Sequence, residues 1–383
     1  MADATGARHD GAMNLVDAGT VTPGMLKAPC RHWLEGVPVD VASLPASGFS
    51  GSLVLLVRAA DRGPFVLKSF HPGTSREHAT WVHRLARHLR ATGIDQVPDV
   101  IPGCGGETVV AGDDGTLWEL CRFMPGVAVH RPTPAQAAAA GEMLARLHRA
   151  AATLPDTWQR VGPSPGMRRR IEQARRLEAA PWRSRRAPDR QGRQGPLQEE
   201  LVSQVSRRFE AAIDVFAAAD GPRAVARVAR LAVPTVPVQP VLRDIWCDHL
   251  LHAGPNSPEI TGIVDLHAAA IDTPATDIAR LLGSWEVSGE CGMQSPVDRH
   301  PDAIAAYERI RPLPLAELRL ISLLHSTAVI FGLDNWFRWV LEERRLFSSP
   351  QRVLDRIDRL MQDLRPAIAA TADGPLDQDG VVD

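Results

Sequence analysis

Residues 241–252 read VLRDIWCDHLLH and residues 260–286 read ITGIVDLHAAAIDTPATDIARLLGSWE. The first stretch is an apolar run that enters a polar loop holding Asp244, Asp248 and His249, then a short apolar run at Leu250 and Leu251. Asn256 and Ser257 turn the chain, and a β-rich run from Ile260 to Val264 ends on Asp265. Strands joined by a short turn pair with each other. The spacing therefore predicts a hairpin that brings the ends carrying Asp244 and Asp265 together.

Upstream, GFSGS at 48–52 precedes LVLLVRAA, a turn at 61–63 and PFVLKSF, a β-hairpin with a Gly-rich entrance. Backbone amides of Gly48, Ser50, Gly51 and Ser52 can approach a phosphate because few side chains block them; the plainer reading is an ordinary loop. Lysine occurs only at positions 27 and 68 among 43 basic residues, which singles out Lys68 at the end of the second strand. It reads either as a solvated edge residue or as an ammonium that holds phosphates. Thr74 or Ser75 caps a helix from Arg76 to about Ala91, stopped by Gly93. Glu77, Trp81, Leu85 and Leu89 recur every four residues, so the pattern predicts that Glu77 faces inward, where a carboxylate can pair with Lys68.

Two strands around a GDDG turn at 112–115 run into Met124-Pro125-Gly126, which breaks the second. Thr133, Pro134 and Gln136 form a capping box for a helix ending in LARLH, and its His148 is expected to bond backbone nearby. Further helices are expected over 198–218, 223–232, 303–310, 315–346 (one or two) and 350–364, the last stopped at Pro366. Ten arginines lie between positions 168 and 193. They read as a solvated helix and loop, or as a lid or contact for an anionic substrate. Asn335 to Trp339 project aromatics that either pack the core or line a pocket.

Taken together, the loop Asp244-x-x-x-x-His249, Asp265 at a strand end, the Asp277-Ile-Ala-Arg-Leu segment, Val66-Leu67-Lys68 and LARLH resemble the aminoglycoside phosphotransferase and choline kinase-like group. These are small-molecule kinases of the protein-kinase-like fold. The resemblance spans roughly residues 48 to 286 and implies an α+β fold with a small β-rich N-lobe (31–125) and a larger helical C-lobe (126–370). Residues 1–30 and 371–383 read as loose tails. The resemblance further implies ATP as donor, Mg²⁺ or Mn²⁺, and a small-molecule hydroxyl as acceptor. In these terms Asp244 is the catalytic Asp, Asp265 the metal Asp, Lys68 the phosphate clamp and Glu77 its partner. Glu119 to Phe123, with Glu119 and Cys121 among the nucleotide-binding candidates, are the hinge.

His249 stands where the group has Asn, an imidazole in place of an amide oxygen. Three outcomes follow. His249 ligates the metal, Asp248 takes over the ligation, or the protein is a nucleotide-binding regulator without turnover. The loop Arg-Asp-x-Trp-x-Asp-His is similar to that of a subgroup of these kinases. No Ala-Pro-Glu follows Asp265 and the segment to Asp277 is too short for an activation loop, which opposes a protein kinase.

The 383 residues carry a net charge of −2, so no global basic field points to nucleic acid. Five scattered cysteines without a CxxC pair suggest neither a disulfide framework nor zinc, and a cytoplasmic location is expected. No uninterrupted apolar run approaches the roughly 18 residues of a membrane span, and the first residues lack a signal-peptide pattern.

Overall fold

A computed structural model describes residues 28–37, 39–44, 52–59, 62–155, 161–185, 196–286, 295–347 and 349–373. Of the Gly-rich entrance, Gly48, Ser50 and Gly51 lie outside the described residues, as do most of both tails. The N-terminal part is an antiparallel five-stranded sheet. Its strands are β1 (Val39–Ser43), β2 (Val54–Ala59), β3 (Gly63–Ser69), β4 (Val110–Ala111) and β5 (Leu117–Arg122), in the order β1-β2-β3-β5-β4. Alternation decides the buried face: Leu55, Val57, Phe65, Leu67 and Leu120 turn to one side with Trp33 and Trp118. Lys68 lies on the central strand, opposite Val54 on one side and Glu119 on the other.

The helix Arg76–Ala91 packs beneath this sheet, its N-terminus capped by Ser75, whose hydroxyl accepts from the His78 amide at 3.1 Å. Its buried residues are Ala79, Val82, His83, Leu85, Ala86 and Leu89. Glu77 is exposed and does not belong to that face. A four-residue step advances about 400° around a helix of 3.6 residues per turn, so a stripe of such steps drifts off one face. The inward polar residue is His83.

The helical part is built on the capping-box helix Pro134–Ala151, where the Thr133 hydroxyl accepts from the Gln136 amide and Gln136 Oε1 accepts from the Thr133 amide. This helix packs against Pro301–Glu308 so closely that a Cβ at Gly141 would overlap the Ala303 carbonyl. A second helical cluster joins Pro165–Ala179, Pro196–Ala218, Gly221–Arg230, Leu315–Phe337 and Pro350–Asp373. The last helix runs through Pro366 rather than ending there. Proline removes one helical hydrogen bond, and buried Leu364, Ala367, Ile368 and Thr371 hold the helix on both sides of it. The segment Leu315–Glu342 is long and apolar enough to cross a membrane, but 61% of its most apolar 18-residue stretch, of mean hydropathy 1.4, is buried inside the protein. Trp336 and Phe337 within it are core residues, as the plainer reading of the aromatic run has it.

Between the two parts runs the hairpin Leu250–His252 and Ile260–Ile263, in register Leu250↔Ile263 and Leu251↔Gly262. The strands Gln239–Val241 and Ala270–Asp272 pair just outside it. The ends that carry Asp244 and Asp265 therefore lie side by side. Overpacking a well-filled contact typically costs ~1–3 kcal/mol. Gly141→Ala is accordingly expected to lower the urea midpoint by an equivalent amount at unchanged slope, and an unchanged midpoint would show the helix crossing to be loose.

Candidate active site

The loop after Val241 is held from below by Asp277. This carboxylate is fully buried in the first turn of the helix Pro274–Leu282. Its Oδ2 accepts from the Leu242 amide at 2.8 Å and its Oδ1 from the Arg243 amide at 2.6 Å. His148 Nε2 approaches Oδ2 at 3.1 Å, and His148 Nδ1 meets the Tyr307 hydroxyl at 2.7 Å. His148 thus bonds side chains of distant helices, not nearby backbone. Arg243 takes a left-handed backbone conformation, φ 65°, which non-glycine residues adopt only when the surroundings require it. The two amide bonds to Asp277 supply that requirement and turn the chain toward the hairpin.

Asp244 follows, with its side chain about half exposed. Trp246 Nε1 donates to its Oδ1 at 2.8 Å, and Arg280 Nε stands 3.6 Å from the same oxygen. His249 is buried, and its Nδ1 lies 2.8 Å from the Asp244 carbonyl oxygen. A carbonyl only accepts, so Nδ1 carries the proton and the neutral ring has its lone pair on Nε2. That nitrogen faces Asp265 Oδ2 at 3.9 Å. A histidine whose second nitrogen is fixed by a backbone carbonyl is the usual form of a metal-ligating imidazole.

Asp265 also has a left-handed backbone, φ 61°. Its Oδ1 accepts from Lys68 Nζ at 2.5 Å, an ion pair that joins the sheet to the helical part. Burial alone would raise its carboxyl. The Lys68 ammonium outweighs that and holds it below the ordinary carboxylate value. Lys68 is therefore anchored by Asp265, and Glu77 takes no part in that pairing. Glu119, opposite Lys68 in the sheet, accepts from His83 at 2.6 Å and from His267 at 2.7 Å. Burial pushes its carboxyl up; His267 and His83 more than reverse this and hold it well below the usual range. His267 also stacks on Phe70, with ring centroids 4.1 Å apart. Glu119 therefore ties the 265–268 turn to the sheet.

Two of the proposed nucleotide contacts fall inside the ladder. Glu119 and Cys121 pair with Lys68 and Val66, and on the other side Leu120 O and Arg122 N are bonded to Ile101 and Asp99. Sheet pairing ends where the Phe123 amide donates to Pro64 O. Beyond that bond the chain leaves the sheet at Met124, past both residues. Ser52 is buried beside β2. Asp248 does not join Asp265. It turns to His130, Nε2 to Oδ1 3.3 Å, and His130 Nδ1 is 3.4 Å from Cys247 Sγ. The carboxylate and imidazole that face each other are Asp265 and His249, a donor set that suits a divalent cation accepting both oxygen and nitrogen.

The sheet, the helical part and the cross-lobe ion pair define a protein-kinase-like fold. Solved structures share it: a spectinomycin phosphotransferase in complex with ADP and spectinomycin has TM-score 0.57 and 12% identity, covering 91% of this chain and 97% of that one. An amicoumacin kinase in complex with AMP-PNP and Ca²⁺ has TM-score 0.54 and 15% identity, covering 93% and 96%. A homoserine kinase of Brucella melitensis is 24% identical over 365 residues, 93% of this chain and 96% of its own length. A profile of the phosphotransferase enzyme family matches residues 41–313, and the chain belongs to that family.

Sequence reasoning missed His83, His267 and Arg280. His83 was visible as the histidine on the Ala79–Val82–Ala86 face, whereas Arg280 meets Asp244 only through the fold. A further buried histidine, His325, accepts from Arg299 Nη2 at 2.9 Å. Burial, then Arg299 and Arg280, push its imidazole from 6.5 down to about 3. As pH falls below 6.5 the unfolded chain binds a proton there and the folded chain does not, so stability is lost from that point down to about 3. His300, held near 4 by burial and Arg299, contributes in the same direction. Denaturation curves at stepped pH are expected to show a shallower acid loss for His325→Gln than for the parent; equal slopes would contradict a neutral buried His325.

Proposed function

We propose that the protein transfers the γ-phosphoryl group of ATP to a hydroxyl of a small molecule with the help of a divalent metal. The observation that carries this is the Lys68–Asp265 pair across the two lobes, with His249 and Asp244 beside it. ATP supplies the phosphoryl group, and a metal neutralises charge that develops on it. Lys68 is placed to hold phosphate oxygens once Asp265 turns to a cation. Asp265 and His249 offer the cation an oxygen and a nitrogen. Asp244 is oriented by Trp246 and Arg280 and accepts the hydroxyl proton. The relatives' name makes L-homoserine the first acceptor to try.

Positioned proton acceptors contribute about 10²–10⁴-fold to rate. Asp244→Asn is expected to lose that much turnover, measured as acceptor-dependent ADP release, while retaining ATP binding in a thermal-shift titration. Full turnover in that variant would remove Asp244 from the role. A second expectation concerns the metal. Imidazole suits Mn²⁺ better than the harder Mg²⁺. His249→Asn should shift the Mn²⁺-to-Mg²⁺ rate ratio toward Mg²⁺, and an unchanged ratio would place His249 outside the metal's coordination.

A further inference from the structure

Beside the catalytic loop lies a pocket whose lining includes Arg170, Trp246, Arg280, Arg356 and Arg359. Among the described residues Asp363 is the one carboxylate in that lining, against four guanidinium groups. His325 also lines it and adds no charge, because its Nε2 faces the Arg299 guanidinium. The pocket opens to solvent and offers about 50 Å³ to a water-sized group. A single water needs roughly 10–15 Å³ by the same measure, so the space admits a small polar group.

The four arginines are unequally partnered. Arg359 pairs with Glu286 at 2.8 Å, Arg280 stands near Asp244, and Arg170 donates to Gln173 at 2.9 Å. Arg356 makes no hydrogen bond or ion pair among the described residues; it lies over the Trp246 ring at 4.3 Å, where Arg280 also lies at 4.5 Å. Burial and then the neighbouring Arg280 lower Arg170 to about 9 and Arg356 to about 10. Partly buried cations that outnumber the carboxylates around them are unfavourable unless a further anion joins them. An arginine-rich composition explains exposed arginines, but not a half-buried one left unpaired. Trp246 connects this pocket to the chemistry, because its Nε1 donates to Asp244 Oδ1.

We propose that this pocket receives a carboxylate of the acceptor, so the acceptor is a small hydroxy acid or hydroxy amino acid rather than a cationic amine. The assignment rests on the kinase reading for the hydroxyl at Asp244. Arg170, Arg280 and Arg356 then determine specificity: their planar forks bind a carboxylate with two parallel bonds. Arg170 belongs to the arginine-rich 168–193 run, whose sharper reading was an anionic-substrate contact.

The test uses pairs that differ only in the carboxylate: L-homoserine with 3-amino-1-propanol, L-threonine with 1-amino-2-propanol, and D-glycerate with ethylene glycol. Each is measured by calorimetric binding and by ADP release with Mg²⁺-ATP and Mn²⁺-ATP. At least one carboxylate member is expected to exceed its partner at least ~10-fold in binding and in kcat/KM, as charge-assisted bonds would give. Arg356→Met should erase most of that preference through KM with little change in kcat, while Arg356→Lys retains part of it. The proposal is overturned if every decarboxylated partner binds and reacts as well, if no member of any pair binds, or if folded Arg356→Met keeps the preference. Carboxylate-selective binding without ADP release from any acceptor would leave the pocket assignment standing and defeat the kinase reading. ADP release with amines and no carboxylate binding would do the reverse.

Discussion

A single buried carboxylate sets the geometry of the site. Asp277 has no access to solvent, and a charge in that position is tolerable only if its oxygens are bonded. The bonds it takes are the amides of Leu242 and Arg243, at the point where the chain leaves its strand. Hydrogen bonds to a charged group are worth about 1.5–3 kcal/mol each. Two of them outweigh the strain of the left-handed Arg243, of order 1–3 kcal/mol. Asp244, Trp246 and His249 then follow in fixed positions. The His148–Tyr307 pair completes the support from the helix Pro134–Ala151 and from Pro301–Glu308.

From that anchor the site divides into two sides. On one, Lys68, Asp265, His249 and the Glu119–His83–His267 cluster join sheet to helices through carboxylates that each face an ammonium or an imidazole. Every buried carboxylate there has a cationic or imidazole partner, which is why Asp265 and Glu119 stay ionised despite burial. On the other side the balance is reversed, and guanidinium groups outnumber carboxylates around Trp246. Asp244 stands between the two, bonded to the Trp246 ring and close to Arg280.

Local signals carried the parts of this structure that depend on neighbours in the chain. The Ser75 cap, the Thr133–Gln136 box, the hairpin before Asp265 and the helices over 198–218 and 223–232 all form where their residues indicate, within a residue or two. Where a reading failed, a long-range contact decided. Glu77 fitted a four-residue stripe, but the face the sheet covers passes through His83. Pro366 carries a stop signal that buried neighbours on both sides override. Asp248 and His249 are adjacent in sequence, yet the turn Cys247–His249 sends one to His130 and the other to Asp265. The arginine pocket draws on positions 170, 280, 356 and 359, which no spacing rule connects.

The location of the metal tests this account most directly. Crystals grown with a non-hydrolysable ATP analogue and Mn²⁺, measured at the manganese absorption edge, give an anomalous peak at each bound ion. The account expects the principal peak within ~2.2 Å of an Asp265 oxygen, next to His249 Nε2, with phosphate oxygens at Lys68. A principal peak on the His130, Cys247 and Asp248 cluster, or nucleotide bound with no ion at Asp265, would contradict it.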